Sequence, residues 1–170
     1  MTGAVVWITG RPASGKSTLA AAACVLIREH GLCACVLDGD DVRGAVLPPR
    51  GYSDADRDAH YATLSRLAAL LAEQGLIVLV PATANRRAYR QDCRDRAPRF
   101  LEVLVDATAE ECAARDVKGL YARARAGQVA RLPGVGADYE APDKPDVLAS
   151  GGWDGVAAGA IARWAVHAAE

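Results

Sequence analysis

A glycine-rich turn near the N-terminus constrains the fold of this chain most. Residues 10–17 read Gly-Arg-Pro-Ala-Ser-Gly-Lys-Ser and fit the pattern G-x-x-x-x-G-K-[ST] without a mismatch. An apolar run, Ala4 to Thr9, precedes the turn, and a segment with helical spacing of apolar residues, Ser17 to Glu29, follows it. The pattern is specific for a phosphate-holding loop when a strand and a helix flank it in this order.

The residue types in this turn suit a nucleoside triphosphate. Gly10 and Gly15 let the backbone curl so that successive N–H groups point at phosphate oxygens, and the helix adds its positive N-terminal end. Lys16 is expected to reach the β- and γ-phosphates and Ser17 to ligate Mg²⁺. ATP and Mg²⁺ are therefore the predicted cofactors. The predicted ATP-binding residues of the turn are Gly10, Arg11, Pro12, Ala13, Ser14, Gly15, Lys16, Ser17 and Thr18.

Apolar runs and helical segments alternate along the rest of the chain. The further predicted strands and helices cover Cys33 to Asp38, Asp54 to Gln74, Leu76 to Pro81, Phe100 to Asp106 and Trp153 to Ala169. Such alternation predicts right-handed βαβ crossovers, and continuously apolar strands predict a sheet covered on both faces. We predict a three-layer α/β/α fold of the P-loop nucleoside triphosphate hydrolase type with a parallel sheet, in a single domain over residues 1–170. The arginine-rich stretch at about 115–143 is expected to form a lid.

Composition excludes several classes of partner. The net charge of −1 over 170 residues lacks the basic field that nucleic acid requires. No run reaches the ~18 apolar residues that span a bilayer, and the first residues do not resemble a signal peptide. The five cysteines show no metal-ligand spacing and suit small core positions. We expect a cytoplasmic protein that acts on a small molecule, with neither nucleic acid nor membrane as partner.

A cluster of acids follows the second predicted strand. Asp38, Asp40 and Asp41 lie within four residues, and ligands of open α/β sheets bind beyond the carboxyl ends of strands. Three carboxylates repel one another unless a cation or a substrate proton lies among them. We assign Asp40 as the base that takes the acceptor hydroxyl proton and Asp38 as a group that orients Mg²⁺ or its water. The predicted catalytic residues are Asp40, Lys16 and Asp38, and the predicted metal residues are Ser17 and Asp38. The alternative is an Asp-Gly turn with solvated acids.

Beyond these motifs the chain resembles the adenylylsulfate kinase family over roughly residues 5–148. The matching segments are Ile8 to Gly10, Gly15 to Leu19, Leu37 to Arg43, Gly51 to Arg57, Arg115 to Gly127 and Tyr139 to Pro145, together with Arg90 and Arg94. The resemblance implies transfer of the ATP γ-phosphate to the 3′-hydroxyl of adenosine 5′-phosphosulfate, in sulfate assimilation. Similar kinases are often dimers, so a homodimer is compatible with it.

The resemblance also implies roles for single residues. Arg43 and Arg57 would hold the anionic end of the acceptor, because guanidinium groups suit phosphate and sulfate oxygens. Lys118 would approach the phosphates, and Arg115 would lie near the ATP base. The predicted acceptor-binding residues are Asp40, Arg43, Tyr52, Arg57, His60, Thr83, Ala84, Lys118 and Leu132. Arg90 and Arg94 are expected to be solvated charges on an exposed helix.

Departures from the family cluster on the acceptor side. The family's Phe-Ile-Ser-Pro-Tyr segment reads Ala82 to Arg86 here, and its lid segment Phe-Thr-Gly-Ile reads Leu132 to Val135. An acceptor-binding Asn is replaced by His60, while Tyr52 can take the place of a stacking Phe. Two alternatives therefore stay open. One is the same chemistry on another nucleotide such as cytidine diphosphoramidate, and the other is a non-catalytic nucleotide-binding regulatory module.

Overall fold

The structure, a computed structural model, describes residues 2–116, 118–128, 132–133 and 136–170. Its strands are β1 (Ala4–Thr9), β2 (Ala34–Val36), β3 (Ile77–Pro81), β4 (Phe100–Asp106), β5 (Leu132–Pro133), β6 (Gly136–Ala137) and β7 (Val147–Ser150). Its helices are α1 (Lys16–Glu29), α2 (Gly39–Ala45), α3 (Asp54–Glu73), α4 (Arg87–Arg96), α5 (Ala109–Ala114), α6 (Leu120–Arg125) and α7 (Gly155–Ala169). Val117, Gly134 and Val135, which belong to the motifs compared above, lie outside the described residues.

Five of the strands form one parallel sheet in the order β2-β3-β1-β4-β7. The predicted parallel α/β architecture is confirmed. The second strand is shorter than predicted and ends at Val36, although the Leu37 N–H still donates to the Leu79 carbonyl at 2.8 Å. That hydrogen bond keeps the chain beside β3 up to the start of the acid cluster. The short β5 and β6 pair only with each other.

Strand β1 lies at the centre of the sheet and is fully buried. Its side chains alternate between two cores, as strand geometry requires. Val6 and Ile8 face a core formed with α1 and α7, while Val5 and Trp7 face a core formed with α3 and α4. Helices therefore cover both faces of the sheet. In the described part of the chain, no helix is long and apolar enough to cross a membrane.

Helix α3, which carries two of the predicted acceptor-binding residues, begins at a capping box. Ser53 accepts from the Asp56 backbone N–H, and the Asp56 carboxylate accepts from the Ser53 N–H. Each satisfies a backbone donor that the first turn of a helix leaves without a partner. This cap fixes where α3 starts, and hence where Arg57 and His60 stand relative to the sheet.

Candidate active site

The glycine-rich turn joins β1 to α1 at the carboxyl edge of the sheet. Gly15 has φ +105°, and a Cβ there would come within 2.6 Å of the Gly152 backbone nitrogen. The Gly152 N–H donates to the Ser14 carbonyl at 3.1 Å, so the turn is pinned to the loop after β7. Ala13 takes the left-handed conformation at φ 60°, a strained geometry that recurs at ligand sites. The predicted phosphate loop therefore has a backbone fixed from both sides.

Lys16 lies partly buried inside this loop. Its Nζ donates to the Gly10 carbonyl at 3.1 Å and to the Arg11 carbonyl at 2.8 Å. Burial lowers the pKa of Lys16 to about 8, against the opposing charges of Asp40 and Asp38. An ammonium held by two carbonyls can turn toward a phosphate when one is present, and that phosphate would stabilise its charge.

Ser17 and Asp38 meet beside the loop. The Ser17 hydroxyl donates to Asp38 Oδ2 at 2.7 Å, and Asp38 Oδ1 accepts from the Asp40 backbone N–H at 2.9 Å. Asp38 is thus the N-cap of α2 as well as the partner of Ser17. Hydroxyl and carboxylate oxygens fit Mg²⁺, which takes one or two protein ligands and completes its shell with substrate phosphates and water. Among the described residues, no group of three or more His, Cys, Asp or Glu side chains could hold a metal ion.

Asp40 points toward the predicted lid. Its Oδ2 lies 2.5 Å from Lys118 Nζ, although the two residues are 78 positions apart. Burial raises the pKa of Asp40, but the hydrogen bond and charge of Lys118 outweigh it, so the pKa lies below its ordinary value. The neighbouring Asp41 is exposed. Of the three clustered acids, Asp38 and Asp40 face the phosphate loop and the lid.

Arg43 and Tyr52, two predicted acceptor-binding residues, contact each other near the surface. Arg43 Nη1 donates to the Gly51 carbonyl at 2.6 Å, and its guanidinium lies 4.5 Å from the centroid of the Tyr52 ring. The Tyr52 ring is 64 % exposed, so one of its faces is available to a ligand. The contact between Arg43 and Tyr52 is a cation–π interaction that fixes both side chains.

His60 and Arg57 lie deeper on the acceptor side. Arg57 is 8 % exposed and His60 is 2 % exposed. Burial lowers the pKa of His60 to about 4, and the charges of Arg43 and Arg50 add to that shift while Asp40 opposes it. The imidazole is therefore neutral at physiological pH. Its Nδ1 is buried and has no hydrogen-bond partner within the described ranges.

Three more predicted acceptor residues are Thr83, Ala84 and Leu132. Ala84 is fully buried and its N–H donates to the Tyr61 hydroxyl at 3.0 Å, so its side chain does not line an open surface. Thr83 is partly exposed, and its carbonyl accepts from the Thr9 hydroxyl at 2.6 Å. Leu132 packs in a small apolar cluster beneath the phosphate loop. The buried members of that cluster are Ala107, Cys112, Tyr121 and Leu132.

Arg115 lies on the opposite side of the phosphate loop from the acid cluster. Its Nη1 donates to the Ser14 carbonyl at 3.3 Å. A side chain at Gly151 would overlap the Arg115 guanidinium. Glycine at position 151 therefore leaves the space that Arg115 needs to reach Ser14. Sheet order places this loop on the β4–β7 side of β1, and Asp38 on the β2–β3 side. The fold thus separates the predicted ATP-base residue from the predicted acceptor residues of α2 and α3.

Comparison with known proteins decides the family. The family model for adenylylsulphate kinase matches residues 2–150. The chain belongs to the adenylylsulfate kinase family. It is 42 % identical over 151 residues to an adenylyl-sulfate kinase of Citrobacter koseri, covering 88 % of this chain and 75 % of the relative. An adenylyl-sulfate kinase from an Enterobacter species is 41 % identical over the same shares.

A solved structure extends this kinship to the whole fold. The Mycobacterium tuberculosis APS kinase CysC, in complex with AMPPNP and APS, superposes with a TM-score of 0.84 at 36 % identity. The superposition covers 98 % of this chain and 95 % of that one. The resemblance inferred from the motifs is confirmed, and so is the P-loop kinase fold that it implied.

In this family member Arg90 is not a surface charge, and that expectation was wrong. Its side chain is 2 % exposed and its Nε donates to Glu102 at 2.7 Å. Nη1 and Nη2 donate to the carbonyls of Ala84 and Glu140, at 2.6 and 2.7 Å. The spacing of residues along α4 could have indicated this burial. Arg90 is three residues before Cys93, which is buried on the core face of the helix, and residues three apart lie on the same face. Arg94 is partly exposed and contacts Glu102 at 3.3 Å.

Tyr139 connects the family's closing lid segment to the phosphate loop, a contact that sequence reasoning missed. Its hydroxyl lies 2.9 Å from the Thr9 hydroxyl, and the Arg11 guanidinium lies 5.5 Å from the centre of its ring. Asn85 binds both flanking residues, donating to the Asp138 carbonyl and accepting from the Glu140 N–H. The far end of the predicted lid is therefore anchored to the ends of β1 and β3.

Proposed function

We propose that this family member transfers the γ-phosphate of Mg·ATP to the 3′-hydroxyl of adenosine 5′-phosphosulfate. The observation that carries the proposal is the arrangement at the carboxyl ends of β1 and β2. There the partly buried Lys16 and the Ser17–Asp38 pair lie near Asp40. Phosphoryl transfer depends mainly on positioning and charge stabilisation, and these groups supply both.

The residues divide the chemical work as follows. Lys16 stabilises charge on the transferring phosphoryl group. Ser17 and Asp38 would hold Mg²⁺, which would supply positive charge against the negative charge of the phosphates. Asp40 accepts the proton of the acceptor hydroxyl, which is general-base catalysis. The lid at about 115–143 closes over both substrates and excludes water, so that ATP is not hydrolysed. Arg115 faces the base of ATP.

The acceptor is held on the β2–β3 side. Arg43 and Arg57 bind its anionic phosphosulfate end, because guanidinium forks match phosphate and sulfate oxygens. Tyr52 offers an exposed aromatic face to the adenine. His60 offers a buried neutral nitrogen, where charge would be expensive.

The two alternatives have less support. The curated relatives with 41–42 % identity are adenylyl-sulfate kinases, which favours the sulfate nucleotide over a cytidine acceptor. A regulatory module would not need an ordered Ser17–Asp38 pair beside a base. The five cysteines are free, which suits a reducing compartment, and we place the reaction in the cytosol.

The product identifies the reaction. The protein would be incubated with Mg·ATP and adenosine 5′-phosphosulfate and followed by phosphorus NMR. We expect the γ-phosphate signal to decrease while a new phosphomonoester signal appears on the 3′-position of the acceptor. Release of the γ-phosphate as inorganic phosphate, at the same rate with and without acceptor, would show an ATPase instead.

A further inference from the structure

Arg50 lies in the loop between α2 and α3 and falls between the two motifs that match the family there. Its side chain is only partly buried, but its Nε is fully enclosed. That N–H has no hydrogen-bond partner in the part of the chain that the structure describes. A buried donor without a partner is unfavourable by about 1–3 kcal/mol, so such groups usually await a ligand or a water.

The loop places Arg50 beside established features of the acceptor side. Arg43 donates to the carbonyl of Gly51, the next residue, at 2.6 Å, and stacks on Tyr52 at 4.5 Å. The charge of Arg50 reaches the buried ring of His60 on α3, whose Nδ1 also lacks a partner in the described ranges. Arg50 Nε and His60 Nδ1 are thus two buried nitrogens in one region, and neither has a hydrogen-bond partner among the described residues.

Two carboxylates that interact with Arg43, Asp40 and Asp56, already have other partners. Asp40 binds Lys118, and Asp56 accepts from the hydroxyl of Ser53 at 2.6 Å. The positive charge of Arg43 therefore suits a ligand that carries its own negative charges. A phosphate–sulfate anhydride has this character.

We infer that Arg50 is a further acceptor-binding residue, whose guanidinium holds the anionic end of the acceptor together with Arg43. The inference rests on the proposed function, since it takes the acceptor to be the phosphosulfate nucleotide. It assigns a binding contact to the loop between α2 and α3. The contact acts on the ground-state complex, so it changes acceptor affinity without changing ATP affinity.

Calorimetry on the protein saturated with Mg·ADP tests this without turnover. Adenosine 5′-phosphosulfate would be titrated into wild type, Arg50→Ala, Arg50→Gln and Arg50→Lys. Loss of a charge-assisted hydrogen bond predicts a Kd about 10- to 100-fold higher for Ala and Gln, and partial recovery for Lys. Arg163→Ala is the matched control, since Arg163 is an exposed arginine of α7 on the other face of the sheet. It should bind like wild type.

The possible outcomes distinguish failure of the Arg50 assignment from failure of the proposed function. If wild type binds the acceptor and Arg50→Gln, with an unchanged Tm, binds it within twofold as tightly, Arg50 has no role and the proposed function stands. If wild type itself binds no adenosine 5′-phosphosulfate, the proposed function and the inference fail together. If Arg50→Ala has a lowered Tm, the comparison uses Arg50→Gln instead, because glutamine keeps a polar side chain.

Discussion

Lys118 Nζ lies 2.5 Å from Asp40 Oδ2, so the first part of the lid contacts the proposed base. Both side chains are about two-thirds exposed, at 66 % and 67 %, and an ion pair so open to water adds little stability. Its consequence is chemical. A carboxylate whose pKa is lowered by an ammonium is a poorer base, so we propose that Asp40 becomes more basic if Lys118 leaves it for the phosphates.

Replacing Lys118 by Met should shift the pH dependence of kcat/KM for the acceptor. That ratio reports groups of the free enzyme, and a base loses activity as the pH falls through its pKa. Lys118 holds the pKa of Asp40 low, so its removal should move the acid limb to higher pH. Lys144→Met, in an exposed lysine near the end of the lid, should leave the limb in place. An acid limb at the same pH in Lys118→Met would show that the pair does not control Asp40.

Replacing Asp40 by Asn should lower kcat by about 10²-fold or more, the usual size of a general-base effect. ATP affinity should be largely retained, because the side-chain hydrogen bond of Asp40 is to Lys118 of the lid. Asp41→Asn is the matched control, an exposed acid one residue away. Steady-state kinetics of both variants would decide, and equal rates in both would remove Asp40 from the base role.

ATP binding should take up a proton near pH 8. Burial lowers the pKa of Lys16 to about 8 in the free protein, and bound phosphates would raise it again. Calorimetry in two buffers of different ionisation enthalpy measures this uptake, which should fall to zero near pH 6.5, where Lys16 is already charged.

Lys16→Ala should abolish turnover with the fold retained and should also abolish the uptake. Proton uptake at pH 8 that persists in this variant would assign it to another group.

Arg90→Ala should lower the free energy of unfolding by about 3–5 kcal/mol, the usual effect of removing one partner of a buried ion pair. The change removes the donor to Glu102 Oε1 and to two backbone carbonyls. Arg94→Ala, in the more exposed partner of the same Glu102, should have an effect below about 1 kcal/mol. Urea unfolding of both variants tests this. Similar urea midpoints for the two variants would contradict a larger stabilising contribution from Arg90 than from Arg94.

The local parts of this fold could be predicted because short stretches of sequence determine them. Ala4–Thr9 and Phe100–Asp106 form strands with the predicted bounds, since each is a short run dominated by apolar residues, which favours a strand. The glycine-rich turn was identified from its spacing alone. Strand β7 was missed because it lies at the edge of the sheet and exposes Leu148, so it lacks such a run.

Contacts between distant residues could not be predicted in this way. Nothing in the local sequence pairs Lys118 with Asp40, or Tyr139 with Thr9, because both contacts depend on how the lid folds back over the sheet. Arg90 was taken for a surface charge because arginine is usually exposed. Its burial follows from three acceptors contributed by three separate segments.

Acceptor preference tests the central claim most directly. ADP formation from Mg·ATP would be measured with adenosine 5′-phosphosulfate and with cytidine diphosphoramidate, each over a range of concentrations. We predict turnover with adenosine 5′-phosphosulfate at micromolar concentration and a kcat/KM for it far above that for the cytidine acceptor. Turnover with the cytidine acceptor alone would contradict the proposed substrate. Tight ATP binding with no turnover on either acceptor would contradict the proposed catalysis.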